Sequence, residues 1–263
     1  MKAIRTLSLA IGLVFLAALD VVAQAVPAQA PPIPDAQVPA AVAAAVDAAD
    51  RSADDKALDA GRKPKQFLSF FGIAPGMKVG DIFAGGGWLT ELLARAVGPT
   101  GKVYSLNGPF PPRFKKSEDA WKARLQKPAL ANAVALQKPL SSSDLFGVPP
   151  ATLDAVLINL NYHDLVAFGL DPNHVNAEVF KALKPGGVYG IIDHSAEKDS
   201  GTRDAATLHR IDEQHLIAEV EKAGFKLAGS SSALRHPEDD RKWFVFEHRG
   251  ETDRFILKFV KPK

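Results

Sequence analysis

The chain of 263 residues contains no cysteine. This absence excludes a disulfide framework, thiolate metal ligands and a lipidated cysteine. An excess of charge of one sign is also missing, because 32 basic residues stand against 30 acidic ones. Nucleic-acid binding requires Lys and Arg clustered on one face, so we expect a small-molecule substrate and no nucleic-acid partner.

The first residues have the order of a secretory signal. Lys2 and Arg5 precede an apolar run from Leu7 to Val22, and the small-x-small sequence Ala23-Gln24-Ala25 follows it. The run is shorter than the roughly 20 apolar residues that span a bilayer, and no later run reaches that length. We therefore predict a cleaved signal peptide over residues 1–25 and a periplasmic or secreted protein without a stable membrane anchor.

The rest of the chain reads as a short leader followed by one α/β domain. The Ala/Pro-rich residues 26–50 are predicted to be a flexible leader, although the alanines of 40–60 also favour one or two amphipathic helices. Residues 51–263 alternate strands and helices, which is typical of parallel βαβ units. Phe225 to Ser231 and Phe255 to Val260 then follow one another without a helix between them. The predicted fold is a Rossmann-like, doubly wound, mostly parallel sheet with a C-terminal antiparallel β-hairpin.

The stretch from Val79 to Ala94, VGDIFAGGGWLTELLA, is the most informative. A hydrophobic strand reaches an acidic residue, and three glycines then let the backbone turn tightly beside a ligand before a helix begins. The residues predicted to bind a cofactor here are Asp81, Ala84, Gly85, Gly86, Gly87 and Trp88. A dinucleotide site is the near alternative, but its G-x-G-x-x-G/A spacing fails because Thr90 stands at the last position.

These residues resemble motif I of the class I S-adenosylmethionine-dependent methyltransferases. The resemblance extends to LKPGGVYGIIDH, from Leu183 to His194, and to the closing hairpin. It implies S-adenosyl-L-methionine as cofactor, with Asp81 meeting the methionine amino group and the glycines beneath the methionyl and ribose parts. The runs RKPKQFLSFFGIAPGM, LHRID and TDRFILKFVKP also resemble a group of exported, predicted methyltransferases.

Two positions depart from the family pattern. Phe83 stands where the first motif glycine is usual, so its backbone must be reached without the freedom of glycine. The second strand ends at Asn107, where the family has an acidic residue that holds both ribose hydroxyls. Asn107 is predicted to make this contact with neutral, weaker hydrogen bonds.

A second set of polar residues follows the strand LDAVLINL. It begins at Asn159, which we assign to the cofactor site, and continues with Tyr162, expected to stack on the substrate or the cofactor. His163 is predicted to be a base or a substrate ligand, with Asp164 orienting its ring. The alternative is that Asp164 caps the next helix and His163 only closes the turn. His194 ends the following strand and is expected to face the same cleft.

Two further features leave alternatives open. His209, Asp212 and His215 fall on one face of a helix predicted over Thr207 to Ala223, and this face fits a metal site or, more simply, a salt-bridged surface, so no metal is assigned. The long segment from Gly108 to Pro150 is expected either to cover the pocket with Phe110 and Trp121 or only to pack against it.

The expected function is S-adenosylmethionine-dependent methyl transfer to a small molecule. The predicted compartment argues against it, because this cofactor is made in the cytosol. The alternative is therefore an exported, non-catalytic binding protein that keeps the methyltransferase fold, and Asn107 is the residue in its favour.

Overall fold

The protein is described by a computed structural model that covers residues 27–263, so the predicted signal peptide lies outside the described residues. In chain order the strands and α-helices are β1 (Gln29–Ala30), α1 (Ala40–Asp47), α2 (Ala53–Arg62), α3 (Pro64–Phe71), β2 (Lys78–Ile82), α4 (Trp88–Val97), β3 (Lys102–Asn107), α5 (Lys115–Arg124), β4 (Ala133–Gln137), β5 (Leu153–Asn159), α6 (Tyr162–Ala167), α7 (Pro172–Ala182), β6 (Leu183–His194), α8 (Glu213–Lys222), β7 (Lys226–Ser231) and β8 (Arg254–Val260). Among these helices none combines the length and the apolar character that crossing a membrane requires.

The eight strands form one sheet in the order β1-β7-β8-β6-β5-β2-β3-β4. Strand β8 runs antiparallel to β6 and β7, and the remaining pairs are parallel. This confirms the predicted fold class, including the antiparallel hairpin near the C-terminus. Strands β3 and β5 lie on opposite sides of β2 in the sheet. The order in which successive strands are added to the sheet therefore reverses between β2 and β5. Ligands bind at the carboxyl ends of the strands at such a point.

Helix boundaries follow local capping chemistry. The Ser52 side chain accepts a hydrogen bond from the backbone N–H of Asp55 at the start of α2, and Asp171 caps α7 in the same way. Helix α4 begins at Trp88, directly after the three glycines as predicted, and Gly98 is its C-cap. Its inner face joins a core cluster that includes Leu92 and Leu93.

The predicted flexible leader is wrong for residues 29–47. Strand β1 pairs with β7, and the backbone of Ile33 exchanges hydrogen bonds of 2.6 and 2.8 Å with the side chain of Gln66. Helix α1 packs against α4 and buries Val42, Ala45 and Val46. The composition of the segment shows only that it has too little apolar surface to fold by itself. The rest of the domain supplies the surface against which it packs.

The long helix predicted over residues 207–223 is also wrong in its first part. Helix α8 begins only at Glu213, because the Asp212 carboxylate accepts hydrogen bonds from the backbone N–H groups of Gln214 and His215, at 2.7 and 3.1 Å. His209 therefore lies in the loop before the helix, and the expected face of His209, Asp212 and His215 does not form. Residues 242–247 form a loop.

Candidate active site

A cavity of about 590 Å³ opens at the carboxyl ends of β2 and β5. Its volume is within the range of small-molecule sites. The predicted site residues that line it are Asp81, Ala84, Gly85, Gly86, Trp88, Asn159, His163, Asp164 and His194. Helix α2 and the loop before β8 complete its wall.

The two strand ends at the cavity carry strained backbone. Phe83 after β2 and Leu160 after β5 have φ values of 56° and 60°. This is a left-handed backbone conformation that residues other than glycine rarely adopt. Phe83 thus adopts a left-handed backbone conformation without being glycine. Such strain concentrates at ligand sites, where surrounding contacts hold it in place.

Gly85 has a φ of 54°, and a Cβ placed on it would meet only the Phe83 carbonyl oxygen, at 3.9 Å. The space beside Gly85 is therefore open on the cavity side. Gly87 does not line the cavity, because the Arg124 side chain covers it. A Cβ on Gly87 would lie 2.9 Å from Cδ of Arg124.

Asp81 lies at the base of the cavity with 1% of its surface exposed. The Thr90 hydroxyl donates a hydrogen bond of 2.6 Å to its carboxylate. Burial raises the pKa of Asp81 to about 7, and the bond from Thr90 offsets only part of this effect. A cationic group placed beside Asp81 would stabilise the ionised carboxylate.

Asn107 does not make the contact that was predicted for it. It is 3% exposed and does not line the cavity. Its Oδ1 accepts from the N–H of Gly85 at 2.9 Å, and its Nδ2 donates to the carbonyl of the same residue at 3.2 Å. An amide is the side chain that satisfies both groups at once, since an ionised carboxylate can only accept. Asn107 therefore fixes the glycine turn, and its side chain does not line the cavity.

Tyr162 is also misplaced by the prediction. Its ring is fully buried, its hydroxyl donates to Glu219 and accepts from Asn176, and both distances are 2.7 Å. The side chain lies among α6, α7 and α8, away from the cavity. Trp88, in contrast, lines the cavity, and the guanidinium of Arg62 lies 4.6 Å from the centre of its ring.

Helix α5 reaches the glycine turn through Arg124. This side chain donates to the Gly86 carbonyl at 2.8 Å and forms ion pairs with Asp55 and Glu91, each at 2.5 Å. The segment from Gly108 to Pro150 thus contributes Ala120 and Arg124 to the cavity wall. Trp121 and Phe110 pack against each other instead, and the Trp121 indole N–H donates to Ser105 on β3.

His163 is held by the carboxylate at the end of β6. Asp193, fully buried, accepts from the backbone N–H of His163 at 2.8 Å and bonds its Nδ1 at 2.7 Å. Burial opposes the charged imidazole, but Asp193 outweighs it and raises the pKa of His163. The orienting carboxylate is therefore Asp193 and not Asp164.

The free nitrogen of His163, Nε2, lies 3.0 Å from Nδ1 of His209. Sequence reasoning missed this contact, because it placed His209 on a helix. In the structure His209 has a φ of 55°, and the rings of Phe244 and Phe246 lie 5.6 and 4.9 Å from its own ring. The one available signal was that His209 is the histidine of the LHRID run that carries part of the resemblance.

Asp164 completes this group. Its Oδ2 accepts from Asn161 at 2.7 Å. Its Oδ1 is buried and has no hydrogen-bond partner, lying 3.5 Å from His209 Nδ1 and 3.6 Å from His163 Nε2. We call His163, Asp164 and His209 the imidazole–carboxylate cluster.

His194 lines the cavity beside this cluster and bonds the Thr252 hydroxyl at 2.9 Å. Burial and the positive charges of His163 and Arg254 hold the pKa of His194 well below its ordinary value. His194 is therefore a neutral hydrogen-bonding group near pH 7.

Three guanidinium groups form another part of the cavity wall. Arg62 and Arg249 lie over the rings of Trp88 and Phe246, and Arg254 donates to backbone carbonyls. Burial and the charge of Arg62 lower the pKa of Arg254 to about 10. This wall therefore attracts an anionic group such as a carboxylate.

No protein-family model matches the chain. Solved structures similar to it include an S-adenosylmethionine-dependent methyltransferase from Aquifex aeolicus, with a TM-score of 0.57 and 20% identity over 79% of this chain and 97% of that one. An arsenic(III) S-adenosylmethionine methyltransferase from Chlamydomonas reinhardtii gives 0.54 and 18%, over 86% and 74%. The [4+2]-cyclase SpnF gives 0.56 and 14%, over 82% and 85%. At these identities what is shared is the fold. The chain has the Rossmann-like fold found in S-adenosylmethionine-dependent methyltransferases.

Proposed function

We propose that the protein transfers a methyl group from S-adenosyl-L-methionine to a small-molecule acceptor. The observation that carries the proposal is the buried Asp81 beside the open turn at Gly85, at the reversal point of a methyltransferase-like sheet. Because one structural neighbour is a cyclase by name, the fold alone does not decide the reaction. The reaction has to be inferred from the residues of the site.

The residues present fit the methionyl part of the cofactor. Its ammonium and sulfonium are positive, and Asp81 is a buried carboxylate whose ionised form needs a positive neighbour. Gly85 leaves room on the cavity side for this part of the cofactor. The arginine wall suits a carboxylate, of the cofactor or of the acceptor. When bound, the cofactor supplies a methyl group that the sulfonium has already activated.

An oxygen or nitrogen acceptor must also lose a proton. Two members of the imidazole–carboxylate cluster, His163 and Asp164, lie on the wall of the same cavity. Asp193 bonds both the backbone N–H and Nδ1 of His163. These bonds hold the His163 ring with its Nε2 toward the other members of the cluster. We assign removal of the acceptor proton to this cluster, and hydrogen bonding of the acceptor to the neutral His194.

The alternative of a non-catalytic binding protein loses the residue that favoured it. It depended on Asn107 as a weakened ribose contact. The hydrogen bonds of Asn107 to both backbone groups of Gly85 explain why an asparagine stands at this position, without reference to ribose binding.

The test is calorimetric titration of the protein from residue 26 onward with S-adenosylmethionine and S-adenosylhomocysteine. The wild type should bind both, and Gly85→Val should bind neither, because its side chain would enter the cofactor space. The matched control is Gly72→Val, which has a left-handed φ of 76° and open surroundings at the end of α3. It carries comparable backbone strain outside the cavity and should bind normally. A wild type without affinity, or a folded Gly85→Val with unchanged affinity, would refute the proposal.

A further inference from the structure

Three lone-pair donors converge beside the cavity. Nε2 of His163, Nδ1 of His209 and Oδ1 of Asp164 are separated by 3.0, 3.5 and 3.6 Å. Only one of these separations is short enough for a good hydrogen bond. The other two leave the Asp164 oxygen buried and without a partner.

A buried carboxylate oxygen is rarely left without a partner, because burial removes its water. Asp164 is 7% exposed, and its unpaired oxygen points at the two imidazole nitrogens. A proton can serve only one pair of these three atoms at a time. A cation at their centre would satisfy all three.

The separations also match those of metal ligands. Ligand atoms about 2.0–2.1 Å from a zinc ion, at tetrahedral angles, lie roughly 3.3 Å from one another. The three observed distances lie on either side of this value. Imidazole nitrogen with one carboxylate is the donor set of zinc and of divalent iron, manganese or cobalt.

The surroundings hold the donors as metal sites usually do. Asp193 bonds the second ring nitrogen of His163, and Asn161 bonds the second oxygen of Asp164. The rings of Phe244 and Phe246 flank His209, whose left-handed backbone directs it toward the other two residues.

We propose that His163, Asp164 and His209 bind one divalent transition-metal ion. Three protein ligands leave coordination positions free, and His163 and Asp164 line the cavity, so a free position faces it. The binding of the ion does not depend on methyl transfer. If the proposed methyl transfer holds, the bound ion would replace the free cluster in removing the acceptor proton: an acceptor hydroxyl bound to the ion would have a lowered pKa and would release its proton to water or to the neutral His194.

The experiment uses the protein from residue 26 onward, freed of any affinity tag and treated with a chelator. Zinc chloride is titrated by calorimetry, and cobalt(II) is followed by its visible absorption. We expect one ion per chain. Asp164→Asn and His209→Gln should each weaken zinc binding at least tenfold. His215→Gln is the matched control, because His215 is exposed and outside the cluster, and its zinc affinity should be that of the wild type.

Positioning by Asp193 has its own variant. Asp193→Asn should weaken zinc binding about 10–100-fold while the ligands remain present. If Asp164→Asn does not fold, as judged by circular dichroism, His209→Gln decides, since the His209 side chain is 23% exposed. Absence of stoichiometric zinc and cobalt binding would overturn the inference. Equal zinc affinity of the wild type and the folded ligand variants would overturn it as well.

Failure of the metal site and failure of the methyltransferase proposal are distinguishable. Gly85→Val should lose S-adenosylmethionine and keep zinc. Asp164→Asn should lose zinc and keep S-adenosylmethionine. Cofactor binding without metal binding would overturn only the metal site, whereas metal binding without cofactor binding would refute only the methyl-transfer proposal.

Discussion

At the scale of single residues, Asp81 is the group whose ionisation sets the charge at the base of the cavity. Its pKa rises from an ordinary 3.8 to about 7 because it is buried, so it is protonated for much of the acidic range in the free protein. A positively charged ligand must therefore displace this proton before it can form an ion pair with Asp81. The charge of Asp81 and the binding of the proposed cofactor are linked.

We predict that the affinity for S-adenosylmethionine rises with pH up to about pH 7, by close to tenfold per unit. Asp81→Asn should bind more weakly and without this dependence. Calorimetry between pH 5.5 and 8 measures both proteins, and the variant controls for titration of the cofactor itself. A wild-type profile parallel to that of Asp81→Asn would contradict the role given to Asp81.

The stability of the free protein gives an independent reading of the same pKa. The folded state binds a proton at Asp81 between about pH 4 and 7 that the unfolded state has released. The stabilisation by this proton is therefore complete below about pH 4 and is lost as the pH rises through 7. In urea unfolding, the free energy of unfolding of Asp81→Asn should increase relative to that of the wild type as the pH rises from 5 to 8.

Residues that the sequence predicts well are those whose position follows from the chain alone. Asp81, Gly85 and His163 follow strand ends, and parallel strands bring their carboxyl ends to one edge. Tyr162 and His163 are adjacent on a helix, so their side chains point about 100° apart. The Tyr162 side chain is drawn away from the cavity by α7 and α8, to which it is bonded through Asn176 and Glu219.

At the scale of elements, Arg124 joins three helices to the glycine turn. Its guanidinium pairs with Asp55 of α2 and Glu91 of α4, while its Nε holds the carbonyl of Gly86. Burial raises the pKa of Asp55, but Arg124 outweighs it, so the pKa is lowered overall. The turn is therefore supported from α5, an element that the sequence places only near the pocket.

We predict that Arg124→Met lowers the free energy of unfolding by about 3 kcal/mol, because it leaves the mostly buried Asp55 without its ion-pair partner. Adding Asp55→Asn should recover part of the loss, a coupling that urea unfolding of the four proteins measures. Lys122→Met on the exposed side of α5 is the control and should change stability by less than about 0.5 kcal/mol. Strictly additive losses would show that the ion pair does not connect the helices.

The start of α8 shows where pattern reasoning fails at this scale. Apolar periodicity continues back to residue 207, but periodicity does not determine which polar side chain caps the helix. Asp212 does so and bonds two backbone N–H groups of the first turn. His209 is consequently freed to meet His163 and Asp164. The cap at Asp212 thus moves His209 from the expected helix face, where no metal was assigned, to the loop that carries the proposed metal site.

At the scale of the whole molecule, the N-terminal part of the described chain closes one edge of the sheet. Gln29 and Ala30 pair with Ser230 and Ser231 of β7, and Ser232 donates to the Ala30 carbonyl through both its backbone and its side chain. A short strand at this position covers hydrogen-bonding groups that would otherwise be exposed at an edge. The leader is thus part of the folded unit.

This contact chooses between two possible sites of signal cleavage. Small-x-small sequences end at Ala25 and at Ala30. Cleavage after Ala30 would remove β1, whereas cleavage after Ala25 would leave it intact. We therefore predict export with a mature N-terminus at Val26, to be checked by N-terminal sequencing of protein from the native periplasm. A recombinant chain beginning at Pro31 should melt at a lower temperature than one beginning at Val26, since it lacks the pairing with β7. A retained Met1 would refute cleavage, and a native N-terminus at Pro31 with unchanged melting would refute the stabilising role of β1.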